Sequence, residues 1–324
     1  MRKILTSIFV IALMAVAVFG ATRAFFSDTE TSVGNTFEAG SLDLRVDSES
    51  HFNGLVCTLG ENEQYTWQVP VGGQSVGPEH YPQPGDPCTG TWSQSDLGPG
   101  AEWRFFNFSD LKPGDEGENT ISLHVLDNDA WGRLLVNNIT DLDVTCTEPE
   151  SEAVDVECNP SGIPGDGELG EAIAFDAWLD EGGVAGFQCN DPDPDDNPET
   201  DDATSGARCA ADPLEGDNLL NGVEQLFWTD ETIDEVAEGP FALDDVLGGA
   251  YALHVCTEAT GHTDYGLCHG LAEDGRMVGS ATYYFGLAWD IPETAGNEIQ
   301  SDSIVADMVF EVEQHRNNPT PFGS

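Results

Sequence analysis

Basic residues are almost absent from this chain of 324 residues, which has 10 Lys and Arg against 60 Asp and Glu and a formal net charge of −50. Without a basic patch to neutralise phosphates, neither nucleic acid nor an anionic membrane surface is expected as a ligand. Such a charge repels itself at low salt and is tolerable where the Debye length is short. The acidity therefore indicates a protein from a high-salt habitat, of the halophilic archaeal type.

Two signatures of catalytic sites are also missing. The chain has no His-Glu-x-x-His pattern and no P-loop, so neither a helical two-imidazole zinc site nor a nucleotide-phosphate loop is indicated. Of seven histidines, His262 and His269 lie near each other, with Glu258 and Asp264 alongside. These four residues could hold a metal, but loop histidines are more often simply solvated. The sequence therefore predicts no catalytic residue and no enzyme.

The eight cysteines are even in number, and in an exported chain this favours disulfides. Structural zinc is the rival interpretation, but no Cys-x-x-Cys pair occurs. Other connectivities remain open, and proximity along the chain suggests four pairs that each close a local loop. These predicted pairs are Cys57–Cys88, Cys146–Cys158, Cys189–Cys209 and Cys256–Cys268.

The one long apolar run lies at the beginning of the chain. Ile4–Ala21 follows Arg2 and Lys3 and precedes a small-x-small site at Thr22 and Ala24. This order is that of a secretory signal peptide, 1–24, which places the mature protein outside the cell or at its surface. A retained membrane anchor is the alternative that the length of the run allows. We otherwise expect contact with the membrane only transiently, through the signal peptide.

The segment that follows, residues 25–40, is apolar and β-prone. Phe25, Phe26, Val33 and Phe37 are separated there by small polar residues. A free segment of this kind must pair with a sheet edge, because otherwise it promotes aggregation.

The rest of the chain is patterned for an all-β fold, a two-sheet jelly-roll-like β-sandwich, in a domain of residues 41–318 with a tail at 319–324. Loop insertions are expected at about 47–100, which is rich in Gly, Pro, Ser and Gln, and at about 180–215, which contains the most acidic run of the chain. A capping box at Thr232–Glu235 predicts one short helix, and Leu243–Leu247, ended by Gly248 and Gly249, a second. The predicted strands are 42–46, 103–108, 121–126, 134–139, 173–179, 251–256, 281–289 and 304–312.

Two kinds of ligand or modification site are indicated outside these strands. Asp191, Asp193 and Asp195 alternate in an acidic run and could bind Ca²⁺, although the run lacks the Gly and Glu that complete an EF-hand loop. A solvated, salt-adapted loop is the alternative, and no other cofactor is expected. Asn107 and Asn138 begin sequons that a glycan could occupy on an exported chain.

Three stretches also resemble a known family. They are AFFSDTE…GNTFEAGSLDL near the start, the block 103–140 with its DLKPGD and DND turns, and the closing block 280–318 with W-x-x-P, G-N-x-x-Q-x-D and E-Q-x-R-x-N. These stretches resemble the TasA/CalY (camelysin-like) family, whose members carry a SipW-type signal peptide. The eight cysteines, the acidity and the long loops depart from its bacterial members.

The resemblance implies a β-sandwich subunit of an extracellular fibre or biofilm matrix. In such filaments the mature N-terminal segment of one subunit becomes a strand in its neighbour, which would make Phe25, Phe26, Val33 and Phe37 the anchors of a donor strand. The alternative is that the segment folds back as a first strand of its own sandwich. Expected partners are further copies of the chain and accessory matrix proteins. Two other functions stay open, a camelysin-like metallo-endopeptidase and a cell-surface binding module.

Overall fold

A computed structural model describes residues 27–30, 42–60, 62–98, 103–148, 150, 167–182, 214–221, 224, 226–254 and 270–323. Within these residues two antiparallel sheets make up most of the regular structure, which confirms the predicted all-β sandwich. No helix in the described part of the chain is long and apolar enough to cross a membrane.

Twelve strands are described, and they are numbered along the chain. They are β1 Ser27–Glu30, β2 Asp43–Phe52, β3 Leu55–Leu59, β4 Tyr65–Gln68, β5 Trp92–Ser95, β6 Glu116–Leu126, β7 Ala130–Asp143, β8 Ala174–Leu179, β9 Leu226–Glu231, β10 Phe241–Ala242, β11 Thr282–Asp290 and β12 Asp302–Gln314. The larger sheet has the order β4-β3-β2-β6-β11-β8-β9, with β5 also paired to β2. The smaller sheet has the order β1-β12-β7-β10.

The main core lies where alternating side chains of the two sheets meet. Leu44 and Leu123 from the larger sheet are completely buried, and Phe310 and Val312 of β12 join them from the smaller sheet. Four of the predicted strands correspond to the longer observed β2, β6, β7 and β12, and the predicted strands 173–179 and 281–289 match β8 and β11 closely.

A second cluster of aromatic side chains lies at one end of the larger sheet. Phe52, Phe108 and Trp289 pack there with ring centroids 4.7–5.7 Å apart. The buried Cys57 belongs to this cluster and forms the predicted disulfide with Cys88. Cys146 is also disulfide-bonded. The remaining predicted disulfide residues, Cys158, Cys189, Cys209, Cys256 and Cys268, lie outside the described residues.

The expectation of one long loop over residues 47–100 is wrong. β2 continues to Phe52, and β3 and β4 then form a hairpin in which Cys57 lies opposite Trp67. β5 pairs with the other end of β2. Gly and Pro dominate the composition of this region, but its few large apolar residues are enough to bury short strands against the aromatic cluster.

Residues 103–108 form no strand, contrary to the prediction. The side chain of Phe105 packs in the main core, with its ring centroid 5.9 Å from that of Phe310, whereas Phe108 packs in the second cluster. The backbone carbonyl of Phe105 is hydrogen-bonded by a side chain instead of by a neighbouring strand, since Asn119 Nδ2 donates to Phe105 O at 2.9 Å. The aromatic run is therefore an irregular bridge between two cores.

Three α-helices are described, together with two short 3₁₀ helices. They are α1 Leu169–Ala172, α2 Ile233–Val236, α3 Leu243–His254, and the 3₁₀ helices Asn297–Ile299 and Pro321–Gly323. α2 begins with the predicted capping box, in which Glu235 N donates to Thr232 Oγ1 at 3.4 Å and Thr232 N donates to Glu235 Oε2 at 2.8 Å.

Helix α3 is longer than predicted, so the expected strand at 251–256 is wrong for its first four residues. Gly248 and Gly249 do not end the helix. Leu243, Leu247 and Ala250 are buried at a spacing of four and three residues, which is the spacing of one helical face. Packing of that face on the core outweighs the low helix propensity of the two glycines.

Candidate functional sites

At the edge of the smaller sheet, the first described strand of the chain, β1, lies beside the last strand, β12. β1 pairs antiparallel with β12, with Ser27 opposite Glu313 and Glu30 opposite Phe310. The other side of β12 pairs with β7 along the whole strand, from Asp302 to Gln314. β1 is therefore a short edge strand laid on a long and well-supported one.

The first part of β12 is open on the side that β1 occupies. Among the described residues, no strand pairs with Asp302–Val309 on that side. Val305, in the middle of this stretch, is 61% exposed, and the pairing with β7 shifts register between Val305 and Asp307. An edge of this kind offers free backbone groups to another strand.

A link of eleven residues, 31–41, separates β1 from Leu42. A chain of that length spans at most about 40 Å when fully extended. The predicted anchors Phe25, Phe26, Val33 and Phe37 lie outside the described residues, so the structure describes only the backbone pairing of residues 27–30.

Three carboxylates meet where β7 ends and β12 begins. Asp143, Glu150 and Asp302 each offer an oxygen within 4.8 Å of the others, and Asp143 and Glu150 are buried. Glu150 Oε1 accepts from Ser301 Oγ at 2.7 Å, and Asp302 Oδ2 accepts from Leu169 N at 2.9 Å. An all-oxygen set suits Ca²⁺ or Mg²⁺ better than zinc.

Burial perturbs the acids of this carboxylate cluster. It raises the pKa of Asp302 to about 6, against the opposing effect of hydrogen bonds from the backbone of Glu168 and Leu169. Burial likewise raises the pKa of Asp141, two residues before Asp143, to about 6, with the charge of Asp302 adding to the effect. The cluster is a candidate cation site, although its charges alone identify no ligand. The sequence patterns did not predict this cluster. The residue of the cluster that lies in a motif noted from the sequence is Asp302, the last residue of G-N-x-x-Q-x-D.

The described histidines do not gather into a zinc site. His124 Nε2 lies 2.6 Å from Asp47 Oδ2, His51 Nε2 lies 3.2 Å from Glu49 Oε1, and His315 lies beside Asp274. In the described part of the chain, no histidine belongs to a group of three metal-ligating residues. His262 and His269, and also Asp191, Asp193 and Asp195, lie outside that part.

The two sequons lie on exposed positions. Asn107 Nδ2 donates to Thr89 Oγ1 at 3.2 Å, and Asn138 Nδ2 donates to Asp307 Oδ2 at 2.7 Å. Both side chains are exposed, so glycan attachment at Asn107 and Asn138 stays a prediction.

Comparison with known proteins links the beginning of the chain to one family. Residues 1–54 match the family model described as camelysin metallo-endopeptidase. The match agrees with the resemblance to the TasA/CalY (camelysin-like) family at the N-terminus and extends to the end of β2. Neither a curated protein nor a solved structure matches the chain.

Proposed function

We propose that this chain, which begins as camelysin-like proteins do, is a secreted structural subunit of an extracellular fibre or biofilm matrix. The observation that carries the proposal is β1, a strand of four residues at the start of the chain that lies on the edge of the smaller sheet. Further copies of the chain are the main partners, and accessory matrix proteins are others.

The mechanism is exchange of the N-terminal strand between subunits. When β1 leaves the β12 of its own subunit, β1 of a neighbouring subunit can form the same backbone hydrogen bonds there. Exchange therefore keeps these contacts but makes them intermolecular. A donated segment that continues beyond Glu30 would also reach the open edge at Asp302–Val309 and gain pairing that a four-residue strand lacks. A head-to-tail contact of this kind does not close on itself, and therefore it propagates a filament.

The net charge makes this assembly dependent on salt. Removal of residues 1–24 takes away Arg2, Lys3 and Arg23 and leaves a subunit with a formal charge of −53. Such subunits repel one another over about 30 Å at 0.01 M salt but over only about 3 Å at 1 M. Contacts between subunits are therefore expected to form in concentrated salt.

Electron microscopy of two versions of the protein in high salt tests the proposal. A chain of residues 25–324 is expected to form filaments, whereas a chain that begins at Gly40 should give only separate particles. The shorter chain keeps β2, which begins at Asp43, and all the strands that form the main core, so it is expected to fold. Separate particles from both versions would rule out strand exchange by this protein alone and favour a surface binding module.

The description of the matching family model favours metallo-endopeptidase activity as a second candidate. The histidines among the zinc-ligand candidates from the sequence are His262 and His269, so a His262→Ala/His269→Ala variant is the matched control. The enzyme interpretation expects about one zinc per chain and casein cleavage that a chelator abolishes, with both lost in the variant. We expect neither zinc nor cleavage in the filament-forming preparation. Stoichiometric zinc with chelator-sensitive cleavage would overturn that expectation.

A further inference from the structure

Two aspartates lie directly opposite each other where β7 ends and β12 begins. Asp143, the last residue of β7, is paired in register with Asp302, the first residue of β12. Side chains at opposite positions of an antiparallel pair lie on the same face of the sheet, with Cβ atoms about 4.5–5.5 Å apart. Like charges in this arrangement destabilise a sheet. The pair therefore needs a proton or a cation beside it.

Glu150, in the segment that follows β7, brings a third carboxylate to this pair. Its side chain is held from both sides, because Oε1 accepts from Ser301 Oγ at 2.7 Å and Oε2 accepts from Thr147 N. Glu150 is 1% exposed. One ligand oxygen from each of the three acids lies within 4.8 Å of the other two. The three carboxylates therefore converge on one place, although they come from three separate parts of the chain.

Some oxygens of the cluster are buried and accept no hydrogen bond. In Asp302, Oδ2 accepts from Glu168 N at 2.7 Å and from Leu169 N at 2.9 Å, but the buried Oδ1 accepts from no donor. Asp143 is 4% exposed, and its Oδ1 is also buried and accepts no hydrogen bond, although the residue itself has other partners. Burying a carboxylate oxygen in this way is costly unless a ligand contacts it. These two oxygens therefore point to a ligand that the cluster binds.

The donors that reach Glu150 and Asp302 are neutral. They are backbone amides and the hydroxyl of Ser301. In the described part of the chain, the ion pairs of Lys and Arg include neither of these two acids. A proton would neutralise only one carboxyl, whereas a divalent cation offsets two negative charges and can bind oxygens from all three acids at once. A divalent cation therefore fits the charge of the cluster better than a proton does.

The spacing and the chemistry of the oxygens favour Ca²⁺. Two oxygens bound to one Ca²⁺ can lie up to about 5 Å apart, since each Ca–O distance is about 2.3–2.6 Å. The separations within the cluster fall inside this limit. Mg²⁺ usually keeps several of its waters, and the burial of Asp143 and Glu150 leaves little room for them. Neutral oxygens are also at hand, because the Ser301 hydroxyl contacts Thr145 O as well as Glu150. An all-oxygen set of this kind does not suit zinc.

We propose that Asp143, Glu150 and Asp302 bind one Ca²⁺ that fastens three parts of the chain together. The cation joins the end of β7, the segment that carries Glu150 and the start of β12. Because Asp302 also accepts hydrogen bonds from the first amides of α1, the cation holds that helix in place as well. Asp302 begins the open edge Asp302–Val309, so the site supports the first residue of that edge. The proposal does not depend on strand exchange.

Calcium titration of the full mature chain tests the site. In concentrated KCl, which screens the general negative charge, calorimetric titration with CaCl₂ is expected to find about one strong site per chain. At about 100 times Kd the melting temperature should rise by about 3–6 °C. Asp143→Asn and Glu150→Gln keep the shape of the side chain and remove one charge. They should bind Ca²⁺ at least about tenfold more weakly and lose most of the rise. With chelator present they should melt no lower than the unchanged chain, because removing a charge relieves the repulsion.

Two control variants separate this site from other carboxylates. Glu238→Gln changes an exposed acid, and Asp191→Asn/Asp193→Asn/Asp195→Asn removes the acids of the other calcium candidate from the sequence. Both should bind Ca²⁺ as the unchanged chain does, and circular dichroism checks that every variant is folded. Absence of saturable binding in the unchanged chain, or undiminished binding in the two cluster variants, would overturn the proposal. Binding lost only in the triple variant would also overturn it, by placing the cation in the acidic run.

Discussion

Cysteines at Thr29 and Glu311 are expected to abolish filament growth when they are oxidised before assembly. The two positions lie directly opposite each other in β1 and β12. Opposite Cα atoms in an antiparallel pair are about 4.5–5.5 Å apart, which a disulfide can bridge. Oxidised as a monomer, the Thr29→Cys/Glu311→Cys chain holds its own β1 and cannot donate it. Electron microscopy in high salt should then find only separate particles.

The same variant oxidised after assembly should give the opposite outcome. Because exchange reproduces the β1–β12 pairing between neighbours, the disulfide would then join subunits, and non-reducing electrophoresis should resolve a ladder of linked chains. Asp28→Cys/Val312→Cys serves as a second pair, since adjacent pairs alternate between the closer and the wider spacing. Thr29→Cys alone controls for scrambling with the native disulfides. Only intramolecular linkage after filaments have formed would contradict strand exchange.

Regular patterns in the sequence predicted the sandwich because they follow from burial. In β6, alternation of apolar and polar residues from Ile121 to Val125 specifies a strand with one face in the core, and the aromatic run of β11 marks another strand, so both were found. The prediction failed where burial came from few residues. β3 and β4 lie in a region dominated by Gly, Pro and Gln, and their burial depends on packing with the distant Phe108 and Trp289. No local pattern contains that information.

The sites were predicted less well than the strands, and the physical reason is separation along the chain. Thr120 and Asn218 are in contact although 98 residues separate them, and Asp143 meets Asp302 across 159 residues. In a chain with 60 acids, the few that are buried cannot be distinguished by composition. Strand alternation alone would place Glu118 among the outward-facing acids, and nothing in the local sequence shows that its carboxylate oxygens are buried.

Replacing Asp180 by asparagine is expected to stabilise the protein at alkaline pH. The pKa of Asp180 is raised from 3.8 to about 8, so between these values the folded state holds a proton that the unfolded state has lost. Stability that this proton provides is present below pH 4, falls as the pH rises through this window and is lost above about pH 8. The variant cannot lose it, because the asparagine amide stays neutral and still offers an oxygen to Asn218 N.

The measurement is thermal or denaturant unfolding at pH 5 and pH 9. One pKa unit corresponds to about 1.4 kcal/mol, so Asp180→Asn should be more stable than the unchanged chain by roughly 2–5 kcal/mol at pH 9, with a smaller difference at pH 5. Glu238→Gln, on an exposed loop, should follow the unchanged chain at both values. An Asp180→Asn variant that is less stable at both would mean that the folded protein needs the ionised carboxylate.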